Sequence, residues 1–236
     1  MISAAISNYH LFQWDVMNWS MSLKFWQRHT QLDLSTVRAL EIGAGDNGGL
    51  SLWLASLGAT VICTDCETQL SNVQAFHRQF HVRGKIDYEV LDTLSINYSE
   101  QFDCILFKSV LGGIGNRKNV ENQLNAVNQM HKALRPGGEL LFAENMAGTQ
   151  LHMALRRRFG AGRTAWRYPS LDEIHRMLEP FESYKLKTCG FIGALGRNHL
   201  QGSILGGFDR AMFNWLIPSN ARYIVFGIAQ KRSVPE

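Results

Sequence analysis

The feature that most constrains this chain is a short apolar strand run broken by a glycine loop. Val37 to Ile42 reads as a strand, Gly43-Ala44-Gly45-Asp46-Asn47-Gly48 interrupts it, and Gly49 to Leu57 reads as a helix. Gly43, Gly45 and Gly48 fit G-x-G-x-x-G between a strand and a helix, where backbone approaches a ligand closely and free N–H groups face it. A second strand, Ala59 to Thr64, ends at Asp65, 20 residues after Gly45, a spacing that suits an acid holding ribose hydroxyls. Ile86 to Leu91 ends at Asp92, and Phe102 to Phe107 is a fourth strand. Val120, Leu124, Val127, Met130 and Leu134 recur at helical spacing, Pro136-Gly137-Gly138 stops that helix, and Glu139 to Ala143 is a fifth strand. This β-α alternation predicts an α/β fold with a parallel sheet and helices on both faces. Such sheets bind ligands beyond the carboxyl ends of their strands. Asp65, Asp92, Lys108 and Glu144 all stand at those ends, so one crevice gathers them.

After the fifth strand the pattern changes. Ser170-Leu171-Asp172-Glu173 is a capping box opening a helix through Leu178. Tyr184 to Phe191 and Arg222 to Ala229 read as strands, with a helical stretch from Ser203 to Leu216 before Pro218. Two late strands without a usual crossover predict an antiparallel edge. Nothing resembles an interdomain linker, so residues 37–236 are expected as one domain and residues 1–36 as a helical lid or appendage. With 45% apolar and 19% charged residues, disordered, collagen-like and coiled-coil chains are excluded. Met1 to Asn18 shows no signal-peptide pattern and no apolar run suffices to span a bilayer. Cys63 and Cys66 form a C-x-x-C, but no second pair completes a zinc site. Buried thiols of a cytoplasmic protein are therefore expected.

The loop and spaced acids call for an adenosine-containing cofactor, and NAD and S-adenosylmethionine both fit them. A short-chain dehydrogenase needs Y-x-x-x-K, and none of the six tyrosines has Lys four residues on. The chain resembles the class I S-adenosylmethionine-dependent methyltransferases over about residues 36–232. Glu41-Ile42-Gly43-Ala44-Gly45 matches their first motif, Asp65 their ribose acid, and Val90-Leu91-Asp92 their adenine-contacting acid. Phe102 to Phe107 matches their fourth strand, and Leu134-Arg135-Pro136-Gly137-Gly138 their turn before the fifth. The late strands, ending in Ile228-Ala229-Gln230-Lys231, match their reversed hairpin. The resemblance implies a Rossmann-like, mostly parallel seven-stranded sheet with an antiparallel late strand. It implies S-adenosyl-L-methionine as cofactor and S-adenosyl-L-homocysteine as product. Glu41, Gly43, Ala44 and Gly45 would hold the methionine moiety, Asp65 the ribose, Cys66 and Asp92 the adenine, and Lys108 and Ser109 would lie beside the sulfonium. Glu41 and Cys66 each have a structural reading too.

The acceptor is less constrained. Lys108-Ser109-Val110-Leu111 is not the D/N-P-P-Y/F of base-amino methyltransferases, and Cys104 lacks the setting of a cytosine-C5 nucleophile. Glu144-Asn145 matches half of a catechol-type metal set, but Lys108 stands where its first acid belongs, so no metal is expected. Glu144, His152 and Lys108 are the candidate bases for an alcohol acceptor. Glu144 could equally be a cofactor or helix-cap acid, and His152 a solvated helix residue. Arg156, Arg157, Arg158, Arg163 and Arg167 fall within twelve residues, with no acid from Asn145 to Leu171. Arginine forks bind carboxylate and phosphate, so an anionic acceptor is expected, against a solvated basic face. RNA is the competing anion, made unlike by the lack of an added RNA-binding module. These five arginines exceed the net charge of +4; without them the chain is nearly neutral. Trp19 belongs to an aromatic stretch from Phe12, continued by Phe25 and Trp26, that reads as an acceptor lid or as a packed helix. Phe208, Met212, Phe213, Trp215 and Leu216 read as a second lid wall, a membrane-surface contact or core. The Trp14-Asp15-Val16-Met17-Asn18-Trp19-Ser20 opening and the Ala229-Gln230-Lys231 ending are similar to methyltransferases of bacterial surface-polysaccharide pathways. That similarity implies O-methylation of a small anionic or sugar-like acceptor, in the cytoplasm or peripherally at the inner membrane face. An RNA methyltransferase and a non-catalytic or NAD-binding module are the alternatives, and the oligomeric state stays open.

Overall fold

The computed structural model describes residues 5–66, 70–114, 119–159, 165–196 and 198–233. The N-terminal segment forms α1 (Asn8–Leu11), α2 (Val16–Trp19) and α3 (Met21–His29). β1 (Arg38–Ile42) runs through the glycine loop into α4 (Gly49–Leu57), and β2 (Thr60–Asp65) precedes α5 (Leu70–His77). β3 (Lys85–Val90) and β4 (Phe102–Lys108) follow, then α6 (Leu111–Ile114), α7 (Val120–Ala133) and β5 (Leu134–Asn145). The last third holds α8 (Gln150–Phe159), α9 (Leu171–Met177), β6 (Ser183–Cys189), α10 (His199–Phe208), a π-helical turn (Asp209–Phe213), α11 (Asn214–Leu216) and β7 (Ile224–Gln230).

The seven strands form one sheet in the order β3-β2-β1-β4-β5-β7-β6. β1 to β5 pair in parallel, and β7 runs antiparallel to both its neighbours. The two late strands form the expected antiparallel edge, with β7 inside, between β5 and β6, and β6 outermost. The seven residues of β7 are nearly all buried, as an interior strand requires. β5 begins earlier than expected because Phe102 pairs with Leu134 and Cys104 with Glu139. The Arg135–Gly138 turn is thus an irregularity within one ladder, the work of a bulge.

Pleat alternation divides the core into two layers. In β4, Cys104 and Leu106 join a cluster with the N-terminal helices and α4, while Ile105 and Phe107 join one with α7 and α9. Leu11, Phe12, Val16, Trp19, Leu23 and Trp26 are all buried in the first cluster. The Trp26 indole N–H donates to the Gly227 carbonyl of β7 at 2.9 Å. The N-terminal segment is packed on the core, which is the second of its two sequence readings. Truncating a fully buried aromatic costs about 3–5 kcal/mol. Trp26→Ala should lower the unfolding free energy by that order in urea titration; a change below about 1 kcal/mol would mean residues 1–36 are a separable appendage.

Candidate active site

The parallel order reverses between β1 and β4, and the loops at that end of the sheet build the site. Gly43, Gly45 and Gly48 have φ of 68°, 57° and 51°, the left-handed region that side chains disfavour. They do different work. A Cβ on Gly48 would meet Val73 and His77 within 3.0 Å, whereas one on Gly45 meets nothing within 4 Å. Gly48 is packing, and Gly45 leaves an open cradle. The Gly45 N–H donates to Asp65 Oδ2 at 2.8 Å, joining the loop to the end of β2. His77 steadies the loop from behind, bonding to the Asn47 carbonyl at 2.8 Å and to Tyr88 at 2.9 Å. Asn47 in turn donates to the His10 carbonyl at 2.7 Å, so α1 lies against the loop. Neither His77 nor Asn47 carries a signal of this role in the sequence, because both act through tertiary contacts.

The other acids and cofactor candidates divide in two. Glu41 is buried, and its carboxylate accepts from Ser51 N at 2.9 Å and Leu50 N at 3.3 Å. It caps the first turn of α4 behind the loop. Asp92 and Cys66 are exposed, just past β3 and β2, and Asp92 accepts from Leu94 N at 2.9 Å. Ser109 takes φ 59°, a strained position for a residue with a side chain. Its N–H reaches the Ala143 carbonyl at 2.9 Å, and its Oγ accepts from the Asn145 amide at 2.6 Å. Gly45, Asp65, Asp92 and Ser109 thus all stand beyond the carboxyl ends of the parallel strands, with open space at Gly45, and these donors and acceptors suit a nucleoside with an amino-acid tail.

The candidate bases are committed elsewhere. Glu144 is fully buried; its Oε2 accepts from Val110 N at 2.8 Å and Leu111 N at 2.7 Å, and its Oε1 from Asn145 N at 2.7 Å. This is the helix-cap alternative, holding the start of α6. Burial pushes its carboxyl up to about 7 despite those donors. His152 is buried with Nε2 on the Phe191 carbonyl at 2.6 Å and Nδ1 at 3.1 Å from Thr149 N, so both ring nitrogens are occupied. Burial holds its pKa below the ordinary imidazole value. Lys108 Nζ lies 5.3 Å from the Trp19 ring centroid, and burial lowers its pKa against the pull of Glu144 and Glu41.

The basic segment divides, with two of its four described arginines turned inward. Arg156 donates to the Met146 carbonyl and stacks 4.0 Å over Tyr168. Arg167 bonds to Gln123 and pairs with Glu173. Arg157 and Arg158 are exposed on α8, and Arg163 lies outside the described residues. Arg156 meets the Met146 carbonyl and the Asn145 amide oxygen, and Arg167 the Gln123 amide oxygen and the Glu173 carboxylate, each fork holding two acceptors. Trp19 is fully buried and stands edge-on to Trp14 at 5.6 Å, rather than at an open acceptor face. Its buried Nε1 has no partner among the described residues.

A second cluster went unread in the sequence. Asp15, with φ 42°, accepts from the Tyr223 hydroxyl and from Asn18 Nδ2 at 3.0 Å. Asp209 accepts from Phe191, Ile192 and Gly193 N at 3.0, 2.9 and 2.8 Å, and from Asn18 Nδ2 at 2.9 Å. Burial pushes the Asp15 carboxyl up to about 7. Asp15 also lines a cavity of about 380 Å³ between the Tyr9–Val16 segment and the start of α10, with Tyr9, Gln13, Trp14, Asn198 and His199. Trp14 touches Trp19, which meets Lys108 at the end of β4, so aromatic rings connect this cavity to the cofactor cradle.

Residues 40–142 match the family model described as a methyltransferase domain. The chain is 29% identical over 143 residues to the ubiquinone/menaquinone biosynthesis C-methyltransferase of Escherichia fergusonii, covering 56% of this chain and 54% of that protein. The fold is similar to Haemonchus contortus phosphoethanolamine N-methyltransferase 2 in complex with S-adenosyl-L-methionine, at TM-score 0.62 and 15% identity over 91% of this chain and 53% of that one. It is also similar to an S-adenosylmethionine-dependent methyltransferase from Mesorhizobium loti, at TM-score 0.61 and 14% identity over 90% and 97% of the two chains. The chain spans about half the length of the first two of these relatives. Residues 40–142 are thus similar to a methyltransferase domain, and the fold is the one these S-adenosylmethionine-dependent methyltransferase structures share.

Asp15 and Glu144 hold their protons to higher pH when folded than when unfolded, about 7 against 3.8 and 4.5. The unfolded chain therefore binds fewer protons between those values, and their contribution to stability falls as pH rises from about 4 to about 7. Urea midpoints measured across that range should fall less steeply in Asp15→Asn and Glu144→Gln than in the wild type. Unchanged slopes would show that both carboxyls titrate normally.

Proposed function

We propose that this protein transfers the methyl group of S-adenosylmethionine to an oxygen of a small, polar, sugar-like acceptor held in the cavity between Tyr9–Val16 and α10. The cavity lining carries the acceptor part of the reading. Trp14 and Tyr9 offer flat apolar faces, while Gln13, Asp15, Asn198 and Ser203 offer hydrogen-bonding groups, the mixture a polyhydroxylated ring requires. The bonds of Arg156 to Met146 and of Arg167 to Gln123 and Glu173 support an acceptor recognised without them.

Bound cofactor supplies a sulfonium methyl; the chain's own groups bind and position. The Gly43-Ala44-Gly45 backbone would take the methionine moiety and Asp65 the ribose hydroxyls, with Cys66 and Asp92 along the adenine. Lys108 and Ser109 would flank the methyl-bearing end. Glu41 and Glu144 act behind these loops, keeping them fixed. Holding two reactants in register supplies about 7–11 kcal/mol of a barrier. Asp15, held by Tyr223 and Asn18, is the carboxyl that lines this cavity and would take the proton of an acceptor hydroxyl.

Calorimetric titration with S-adenosylhomocysteine tests the cofactor site: no binding at about 1 mM would remove the reading. Asp65→Ala should weaken that binding about 10–100-fold, the effect of losing hydrogen bonds to a charged group. Labelled S-adenosylmethionine offered with pools of sugars, phosphorylated sugars, amines and RNA should label a hydroxylated small molecule. Label confined to amine or RNA would overturn the acceptor class. Asp15→Asn should cut turnover about 100-fold with S-adenosylhomocysteine affinity kept, and unchanged turnover would reject its role.

A further inference from the structure

The late helices present an apolar face that nothing among the described residues covers. Leu200, Ile204, Phe208 and Met212 follow at intervals of four, then Trp215 and Leu216, and all six are exposed, Trp215 at 87% and Leu200 at 71%. The opposite side of the same segment is packed. Ser203 bonds with Tyr9, Gly206 lies against Met17, and Asp209 is buried on three backbone N–H groups. The segment is therefore amphipathic, with its apolar side outward. No helix among the described residues is long and apolar enough to cross a membrane.

Beside this face lies a cationic cavity of about 360 Å³, lined by Lys24, Arg28, His29, Lys187 and Arg210. Lys24, Arg28, Lys187 and Arg210 are exposed and make no ion pair with a described residue. Neither α3 nor β6, which supply three of them, contains an acid. From Asn198 to Arg222 the sole acid in the sequence is Asp209, and it is buried. The two features adjoin at Arg210, which lines the cavity and stands between Phe208 and Met212 in the π turn. They adjoin again where Asn214, next to Trp215, lies 3.9 Å from Met21 at the cavity wall.

We propose that this continuous surface docks the protein on an anionic lipid bilayer, with the Leu200–Leu216 stripe in the interfacial layer and the four cations on lipid phosphates. An apolar helical stripe ending in tryptophan beside unpaired cations and no exposed acid is the composition of an interfacial contact. A second copy of this chain fits less well, because an isologous two-fold contact would set the two cationic cavities close together. The docking is independent of the acceptor's identity. It places the cavity lined by His199 and Ser203, on the inner side of the same helix, next to the bilayer.

The test is flotation of the full chain with vesicles of phosphatidylcholine alone and of equal phosphatidylcholine and phosphatidylglycerol. Binding to the anionic vesicles, weakened by salt, is expected. Each neutralised cation should lower partitioning about fivefold, so Lys24→Gln, Arg28→Gln, Lys187→Gln and Arg210→Gln together should abolish it. Trp215→Ser with Leu216→Ser should also abolish it; both side chains are exposed, so the fold is kept, checked by unchanged thermal unfolding. Vesicle-induced blue shift of the tryptophan emission should disappear in Trp215→Phe. Equal binding to both vesicle types, no binding, or a dimer in sedimentation that Trp215→Ser and Leu216→Ser dissociate would each overturn the proposal. Since flotation reads neither S-adenosylhomocysteine affinity nor turnover, its failure leaves the methyl-transfer reading to its own test.

Discussion

Buried carboxylates gripping backbone N–H groups hold the functional end of this sheet together. Glu41 takes the first turn of α4, Glu144 takes the start of α6, and Asp209 takes the 191–193 turn. Asp65 takes Gly45. In each case the acid reaches across from another element to an otherwise unsatisfied donor, the groups every helix start and tight turn leave bare. Removing such an acceptor strands several buried donors at once, which costs about 1–3 kcal/mol for each. The loops that would meet cofactor are fixed by these bonds rather than by loop packing.

That use of acids narrows the chemistry. A carboxylate already accepting three N–H groups has little room for an acceptor proton, so Glu144 serves geometry. His152 is spent in the same way, between Thr149 and the Phe191 carbonyl. The strained Ser109, tied to Asn145 and Ala143, belongs with them. What remains is a preorganised cradle, suited to a reaction whose main demand is register between two bound molecules.

The first five strands and the glycine loop were legible because their signals are local. Apolar runs, glycine at left-handed positions and acids at strand ends can be read without knowing what packs on them. The fate of Arg156, Arg167 and Trp19 was not legible, because each depends on partners such as Tyr168, Glu173 and Lys108 supplied by folding. A run of arginines without acids looks like a solvated or ligand-facing surface until partners from other segments, Met146, Gln123 and Glu173, are seen. The place of β7 was hidden for a similar reason: its apolar run marks a buried strand but not which neighbours it enters between. Asp15 and Asn18 were in view within one short motif, yet their meaning rests on Asp209 and Tyr223, 191 and 208 residues further along the chain.

The same residues explain why one helix faces two ways. Asp209 must be buried to hold the 191–193 turn, and its bond to Asn18 ties the π turn to the N-terminal segment. Once that side is fixed inward, helical periodicity places Leu200, Ile204 and Phe208 outward. The inner side, with Ser203 on Tyr9, closes the polar cavity. The outer apolar stripe is therefore a geometric partner of the cavity, and a side-chain change that rotated α10 would alter both together. A chain needing only the cavity could carry polar residues on the outer positions at no cost to packing. Six exposed apolar side chains there, beside cations left unpaired by any described acid, are the part of the molecule that folding alone does not explain.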